Sequence, residues 1–175
     1  MNSNEVILVD ERDNAIGVME KMEAHQKGLL HRAFSIFLFN GNGEMLLQRR
    51  ALSKYHSPGL WTNTCCSHPM EGETIDIAAN RRLSEEMGMT CTMTKTFDFI
   101  YKAELDNDLI EHEYDHVFFG TTNQVPSINP DEVCDWKWMA VYDVYIDVQL
   151  NPTRYTEWFK IALPEVMSQL KLQLT

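Results

Sequence analysis

Positive charge is scarce in this chain: 15 lysines and arginines face 26 aspartates and glutamates across 175 residues, a formal net charge of −11. A nucleic-acid partner needs a basic face for its phosphates, so this balance argues against one. A small phosphorylated ligand stays open, because local charge decides there. Arg49, Arg50, Lys54, Arg81 and Arg82 gather cations between positions 49 and 82. Long hydrophobic runs are missing as well. The longest stretches, such as 34–39, fall far short of the ~20 residues that cross a bilayer, so no membrane partner is expected. The opening Met-Asn-Ser-Asn lacks a basic-then-apolar leader, which makes the cytoplasm the expected location. Cysteines number four, and Cys65 and Cys66 are adjacent, a usage that suits a reducing compartment better than a disulfide framework. Nothing marks a repeat, a low-complexity tract, a linker or an obligate protein partner. One domain over 1–175 is long enough to bury its own core.

The pattern along the chain predicts short strands at 6–9 and 16–18 and an apolar strand over 32–39. Asn40-Gly41-Asn42-Gly43 is a hairpin turn leading into a return strand at 45–47. Ser57-Pro58-Gly59 breaks the chain before the Cys/His segment. Ile75, Ala78, Ala79, Leu83 and Met87 recur at helical spacing, with Thr74 as N-cap and Gly88 as stop. Strands follow over 96–104 and 110–119, joined by Asp106-Asn107-Asp108, and a further one over 136–139. A C-terminal helix over 153–172 is expected to kink or break at Pro164. The expected class is α+β, a mixed sheet with helices packed on it.

Thr62-Asn63-Thr64-Cys65-Cys66-Ser67-His68-Pro69 is the most telling segment, a thiol and an imidazole two positions apart before a helix rich in carboxylates and arginines. Strand alternation puts Glu111 and Glu113 on one face, where two carboxylates can share a divalent cation. A solvated strand face is the competing reading. Among only six histidines, His25, His31 and His68 flank or sit inside these segments. Three imidazoles with two carboxylates form a donor set suited to Mn²⁺, Zn²⁺ or Fe²⁺. Cys66 is either a small buried hydrophobe or, beside His68 and the cations, a reactive thiol, and periodicity does not choose between Cys65 and Cys66. Arg81 and Arg82, followed by Glu85 and Glu86, form either helical salt bridges or a guanidinium and carboxylate pair for a diphosphate and its Mg²⁺.

The segment 67–89 resembles a degraded Nudix box, GX5EX7REUXEEXGU. Glu73, Arg81, Leu83, Glu85, Glu86, Gly88 and Met89 fit, while Ser67 replaces the opening glycine and Arg82 the first glutamate of the REUXEE run. A serine at 67 would be strained if the backbone there required positive φ. The Trp-Thr-Asn…Cys-x-His-Pro run with a distal Glu-x-Glu further resembles the type I isopentenyl-diphosphate Δ-isomerases, over nearly the whole chain. That resemblance implies a Nudix-like mixed β-sheet sandwiched by helices. It also implies a metal on His25, His31, His68, Glu111 and Glu113, with Mn²⁺ first and Zn²⁺ as the alternative. Cys66 and Glu113 would be the two acid/base groups, Tyr101 would assist Glu113, and Glu86 would bind Mg²⁺ with the substrate diphosphate. Lys21, Arg50, Lys54 and Arg82 would contact the diphosphate, and Trp158 would face the isoprenoid carbons.

The implied reaction interconverts isopentenyl and dimethylallyl diphosphate, by adding a proton at one alkene end and removing another from C2. An unactivated alkene is a poor base, so such a site needs a good acid, exclusion of water and shelter for a tertiary carbocation. Cys66 and Glu113 supply the proton partners. An indole such as Trp158 stabilises the cation by ~2 kcal/mol or more when desolvated. A Nudix pyrophosphohydrolase is the alternative, and Arg82 at a metal-ligand position argues against it. A non-catalytic metal-binding module is the third reading, disfavoured by the surplus of acid/base groups.

Overall fold

The computed structural model describes residues 4–174; Met1 to Ser3, read above as the start of a leaderless N-terminus, and Thr175 lie outside the described residues. The chain runs β1 (Glu5–Val9), β2 (Ala15–Glu20), α1 (Lys21–Lys27), β3 (His31–Phe39), β4 (Glu44–Arg50), β5 (Trp61–Thr62), β6 (Cys65–Ser67), α2 (Ile75–Met87), β7 (Met93–Glu104), β8 (Ile110–Thr121), β9 (Val133–Ala140), α3 (Val141–Leu150) and α4 (Glu157–Leu174). The strands form one mixed sheet. β3 and β8 run parallel from His31↔Glu113 to Phe39↔Thr121, and the other pairings of these strands are antiparallel.

β3 is apolar from Ala33 to Phe39 except at Ser35, because both of its faces are covered. Phe34, Ile36 and Leu38 pack under α2 with Ala78, Ala79, Leu83 and Met87. Phe37 and Phe39 face the opposite way and meet Val144 and Val148 of α3 and Phe159, Ala162, Leu163 and Val166 of α4. Burying each large side chain contributes about 1.5–3 kcal/mol, so two full layers hold the sheet between helices. α2 begins where Thr74 Oγ1 accepts the Ile77 amide at 3.4 Å and ends at Gly88 in the left-handed region, φ 61°. A Cβ on Gly88 would sit 2.4 Å from the Ser127 carbonyl oxygen, so only glycine fits.

Two helices were not anticipated, and one expectation changes. Helix α1 carries no apolar periodicity; it forms because the Glu20 carboxylate caps the Glu23 amide and Gly28 closes the end. Helix α3, of sequence VYDVYIDVQL, is rich in strand-favouring residues, yet burial of Val144 and Val148 one turn apart makes it helical. The C-terminal helix, expected from 153 with a kink or break at Pro164, starts at Glu157 and continues through Pro164 as one element, so the chain does not break there. A mid-helix proline costs about 3 kcal/mol. Phe159, Leu163 and Val166, all buried around it, return more than that at about 1.5–3 kcal/mol each.

Candidate active site

Strand register decides which residues meet. Ser35 pairs with Cys66 and Ile36 with Cys65, so Cys66 shares the α4-side face with Ser35 while Cys65 points beneath α2. Cys65 is therefore the buried small hydrophobe. On β8 the same alternation turns Glu111, Glu113 and Asp115 inward, ahead of Val117 and Phe119. The polar ends of β3, β6 and β8 thus form a floor where the apolar layer under α4 stops, with Trp158 at the boundary.

Four donors converge on that floor. Single ligand atoms of His25, His31, His68 and Glu111 all lie within 4.8 Å of one another. The His31 Nδ1 proton goes to the Leu29 carbonyl at 2.9 Å, which leaves its Nε2 lone pair aimed inward. His31 Nε2 and Glu111 Oε2 are both buried without a hydrogen-bond partner. Such orphaned atoms are costly, and a cation held by His31 Nε2 and the Glu111 carboxylate, whose Oε1 lies 3.9 Å away, would relieve them. This donor set fits a divalent transition ion. Glu113 stands at the edge of the cluster, with Oε2 2.7 Å from His68 Nε2 and 3.3 Å from His31 Nε2. The Tyr101 hydroxyl donates to the other oxygen, Oε1, and fixes that carboxylate.

A cleft opens above this floor and is lined by Cys66, His68, Glu111, Glu113 and Trp158, with Lys21, Arg50, Lys54, Arg82 and Glu86 around them. His25, His31 and Tyr101 are buried behind the lining. Burial pushes the Cys66 thiol up, helped by the nearby Asp115 charge, so the sulfur holds its proton. Burial and the neighbouring Lys54 push the Lys21 amine down, the signature of crowded cations that an anion would relieve. Arg50 stacks its guanidinium 5.2 Å from the Trp158 ring centroid and has a buried Nε without a partner. Burial opposes the Arg82 charge, but Glu86 and further acidic neighbours hold the guanidinium above its usual value. Its Nη2 donates to Glu86 Oε1 at 2.7 Å and its Nε to Ser67 Oγ at 3.0 Å. Ser67 is not among the positive-φ residues, so serine is unstrained there and serves as an anchor for Arg82. Arg81 instead turns to Glu73 at 2.7 Å and forms a structural ion pair.

Several lining residues were not legible beforehand. Glu132 pairs with Lys54 and, at 3.3 Å, with Arg82, but an isolated glutamate in an acidic chain gives no signal. His56, pushed down to about 3 by burial and the Arg50 charge, packs edge-on to Trp158 at 5.7 Å. Tyr55 reaches His25 Nδ1 at 3.1 Å. Asp115 was within reach of the sequence, since the alternation that aligns Glu111 with Glu113 extends two residues further.

A mixed sheet lies between helices, with arginines and glutamates together on α2, and the NUDIX domain family model matches residues 29–159 of this chain. The fold is similar to the crystal structure of DR0079 from Deinococcus radiodurans, with a TM-score of 0.77 at 17% identity, covering 92% of this chain and 98% of that one. The chain is 52% identical to isopentenyl-diphosphate Delta-isomerase 2 of Aromatoleum aromaticum over 94% of its own length and 87% of the relative's. It is 50% identical to isopentenyl-diphosphate Delta-isomerase of Pectobacterium atrosepticum, over 95% of its length and 93% of the relative's. The chain belongs to the Nudix superfamily and, within it, to the isopentenyl-diphosphate Δ-isomerase family.

Proposed function

We propose that this protein is an isomerase that interconverts isopentenyl diphosphate and dimethylallyl diphosphate in isoprenoid precursor biosynthesis. One observation carries the reading: Cys66 and Glu113 line a single cleft whose rim holds Arg82 where a hydrolytic Nudix box places a glutamate. Lys21, Arg50, Lys54 and Arg82 receive the diphosphate, and the unpartnered Arg50 Nε is one donor waiting for it. The diphosphate is an anchor and does not leave. Trp158, only 5% exposed, closes the carbon end against water and offers its ring to the tertiary cation.

Cys66 Sγ and Glu113 are the two proton-transfer groups: one delivers a proton to the terminal alkene carbon, the other removes one from C2. Tyr101 orients the Glu113 carboxylate throughout. His25, His31, His68, Glu111 and Glu113 would hold one transition ion, with Mn²⁺ first and Zn²⁺ as the alternative, whose positive charge acts on the Glu113 carboxylate. Glu86 would share Mg²⁺ with the substrate phosphates, the usual mode for that ion. The location proposed is the cytoplasm; among the described residues no helix is long and apolar enough to cross a membrane. The decisive test is incubation with isopentenyl diphosphate and Mg²⁺. Dimethylallyl diphosphate without free phosphate is expected, whereas phosphate release without isomerisation would identify a hydrolase.

Two further outcomes are expected. Purified protein should carry about one transition ion per chain, and a His68→Ala, Glu111→Ala double variant should lose it by elemental analysis. Arg82→Ala should raise KM for isopentenyl diphosphate by about 10- to 100-fold, equivalent to about 1.5–3 kcal/mol for a charge-assisted hydrogen bond. That variant should still release no phosphate. An unchanged KM would remove Arg82 from the diphosphate site.

A further inference from the structure

The Cys66 thiol sits in a closed ring of hydrogen bonds that its proposed chemistry does not yet use. Its Sγ donates to Asn63 Oδ1 at 2.9 Å and accepts from Trp158 Nε1 at 3.2 Å, and it also lies 3.6 Å from Ser35 Oγ, which gives its own proton to Asp115 Oδ2 at 2.7 Å. Asn63 is fully buried, and its amide cannot turn around. Both Nδ2 hydrogens are committed to carbonyls, Ile36 O and Cys65 O, each at 3.0 Å, so Oδ1 must face the thiol. Thr62 Oγ1 donates to the same Oδ1 at 2.9 Å, and the Thr156 hydroxyl lies 2.8 Å from Thr62 Oγ1. With its one hydrogen given to Asn63, Thr62 can only accept from Thr156. The ring then closes through the backbone, since Thr156 stands two residues before Trp158.

We propose that Asn63, held by Thr62 and Thr156, is the positioning residue that fixes the Cys66 thiol against the Trp158 edge. Asn63 is neutral and carries no exchangeable acid, so its contribution is orientation. It offers the thiol hydrogen a nearer acceptor than Ser35 Oγ does, while the indole N–H occupies one sulfur lone pair, and these three neighbours together leave a defined side of the sulfur for substrate. Thr62 and Thr156 keep β5 and the start of α4 in register, so the proton-transfer atom and the aromatic wall move as one unit. This inference rests on the proposed role of Cys66 in the isomerisation.

The experiment measures kcat and KM on isopentenyl diphosphate for Asn63→Ala, Thr62→Val and Thr62→Ser, with wild type as the control for the isomerase reading. Asn63→Ala should lower kcat by at least about tenfold with KM within about twofold, the pattern of a misoriented group. Thr62→Val, nearly isosteric, should lower kcat by about threefold or more, and Thr62→Ser, which keeps the hydroxyl, should recover most of it. The infrared S–H stretch of Cys66, isolated by subtracting the Cys66→Ala spectrum, should shift in Thr62→Val and return in Thr62→Ser. Should Asn63→Ala fail to fold, Thr62→Val decides. A Thr62→Val enzyme with wild-type kcat and an unmoved S–H band would overturn the proposal, as would a folded Asn63→Ala enzyme altered in KM alone. Inactive wild-type enzyme would instead indict the isomerase reading.

Discussion

Cys66→Ala should lower turnover of isopentenyl diphosphate by at least ~100-fold, the scale of a lost general acid–base partner. Substrate affinity should survive, because the cations on the cleft rim are separate from the thiol. Cys65→Ala is the matched control. Cys65 lies beneath α2 and does not line the cleft; its thiol donates to Glu86 Oε2 at 3.3 Å, a contact with the edge of the diphosphate site and not with Glu113. Removing it should cost packing stability and little chemistry. Steady-state kinetics on both variants checks this, and equal turnover of wild type and Cys66→Ala would exclude the thiol from proton transfer.

A loss on the order of 1,000-fold is expected for Glu113→Gln, within the range for general acid–base groups. Glutamine keeps the shape and can still accept the Tyr101 hydroxyl, but an amide cannot carry the proton. Metal analysis of the same variant separates the two roles of this side chain. The His25, His31, His68 and Glu111 donors remain within 4.8 Å of one another in the wild-type geometry, so the ion should be retained while turnover collapses. Loss of the ion together with activity would make Glu113 chiefly a ligand. Turnover near wild type would exclude it as acid or base.

Much of the fold could be read in advance where one physical signal dominated. β3 announced itself as a run apolar on both faces, α2 by spacing and caps, and β7 and β8 by length and a polar turn. α1 and α3 were hidden for opposite reasons. The first is too polar and short to show a periodicity, and the second has strand-like side chains that tertiary burial overrides. Every residue proposed for the site lines the cleft or lies directly behind it, because those positions carried chemically unusual types at motif spacing. What stayed invisible depends on register or on pairing across distant segments. Periodicity left the two adjacent cysteines open; the resemblance pointed to Cys66, and the physical reason came with the Ser35↔Cys66 pairing. Asn63 needed its two carbonyl partners, and Glu132 needed Lys54 and Arg82.

The cysteine doublet gives each side of the sheet one sulfhydryl, and a small alkylating reagent would read them as two separate clocks. Cys66 opens to the cleft, so its modification should follow cleft occupancy and slow when a diphosphate ligand is present. Cys65 has no exposed surface and lies under Ala78, Ala79 and Leu83. It becomes reachable only when α2 lifts away from the sheet, so its labelling rate measures the opening equilibrium of that layer. Against the background labelling of Cys91 and Cys134, which are at least partly exposed, two neighbouring atoms would report ligand binding and helix detachment independently.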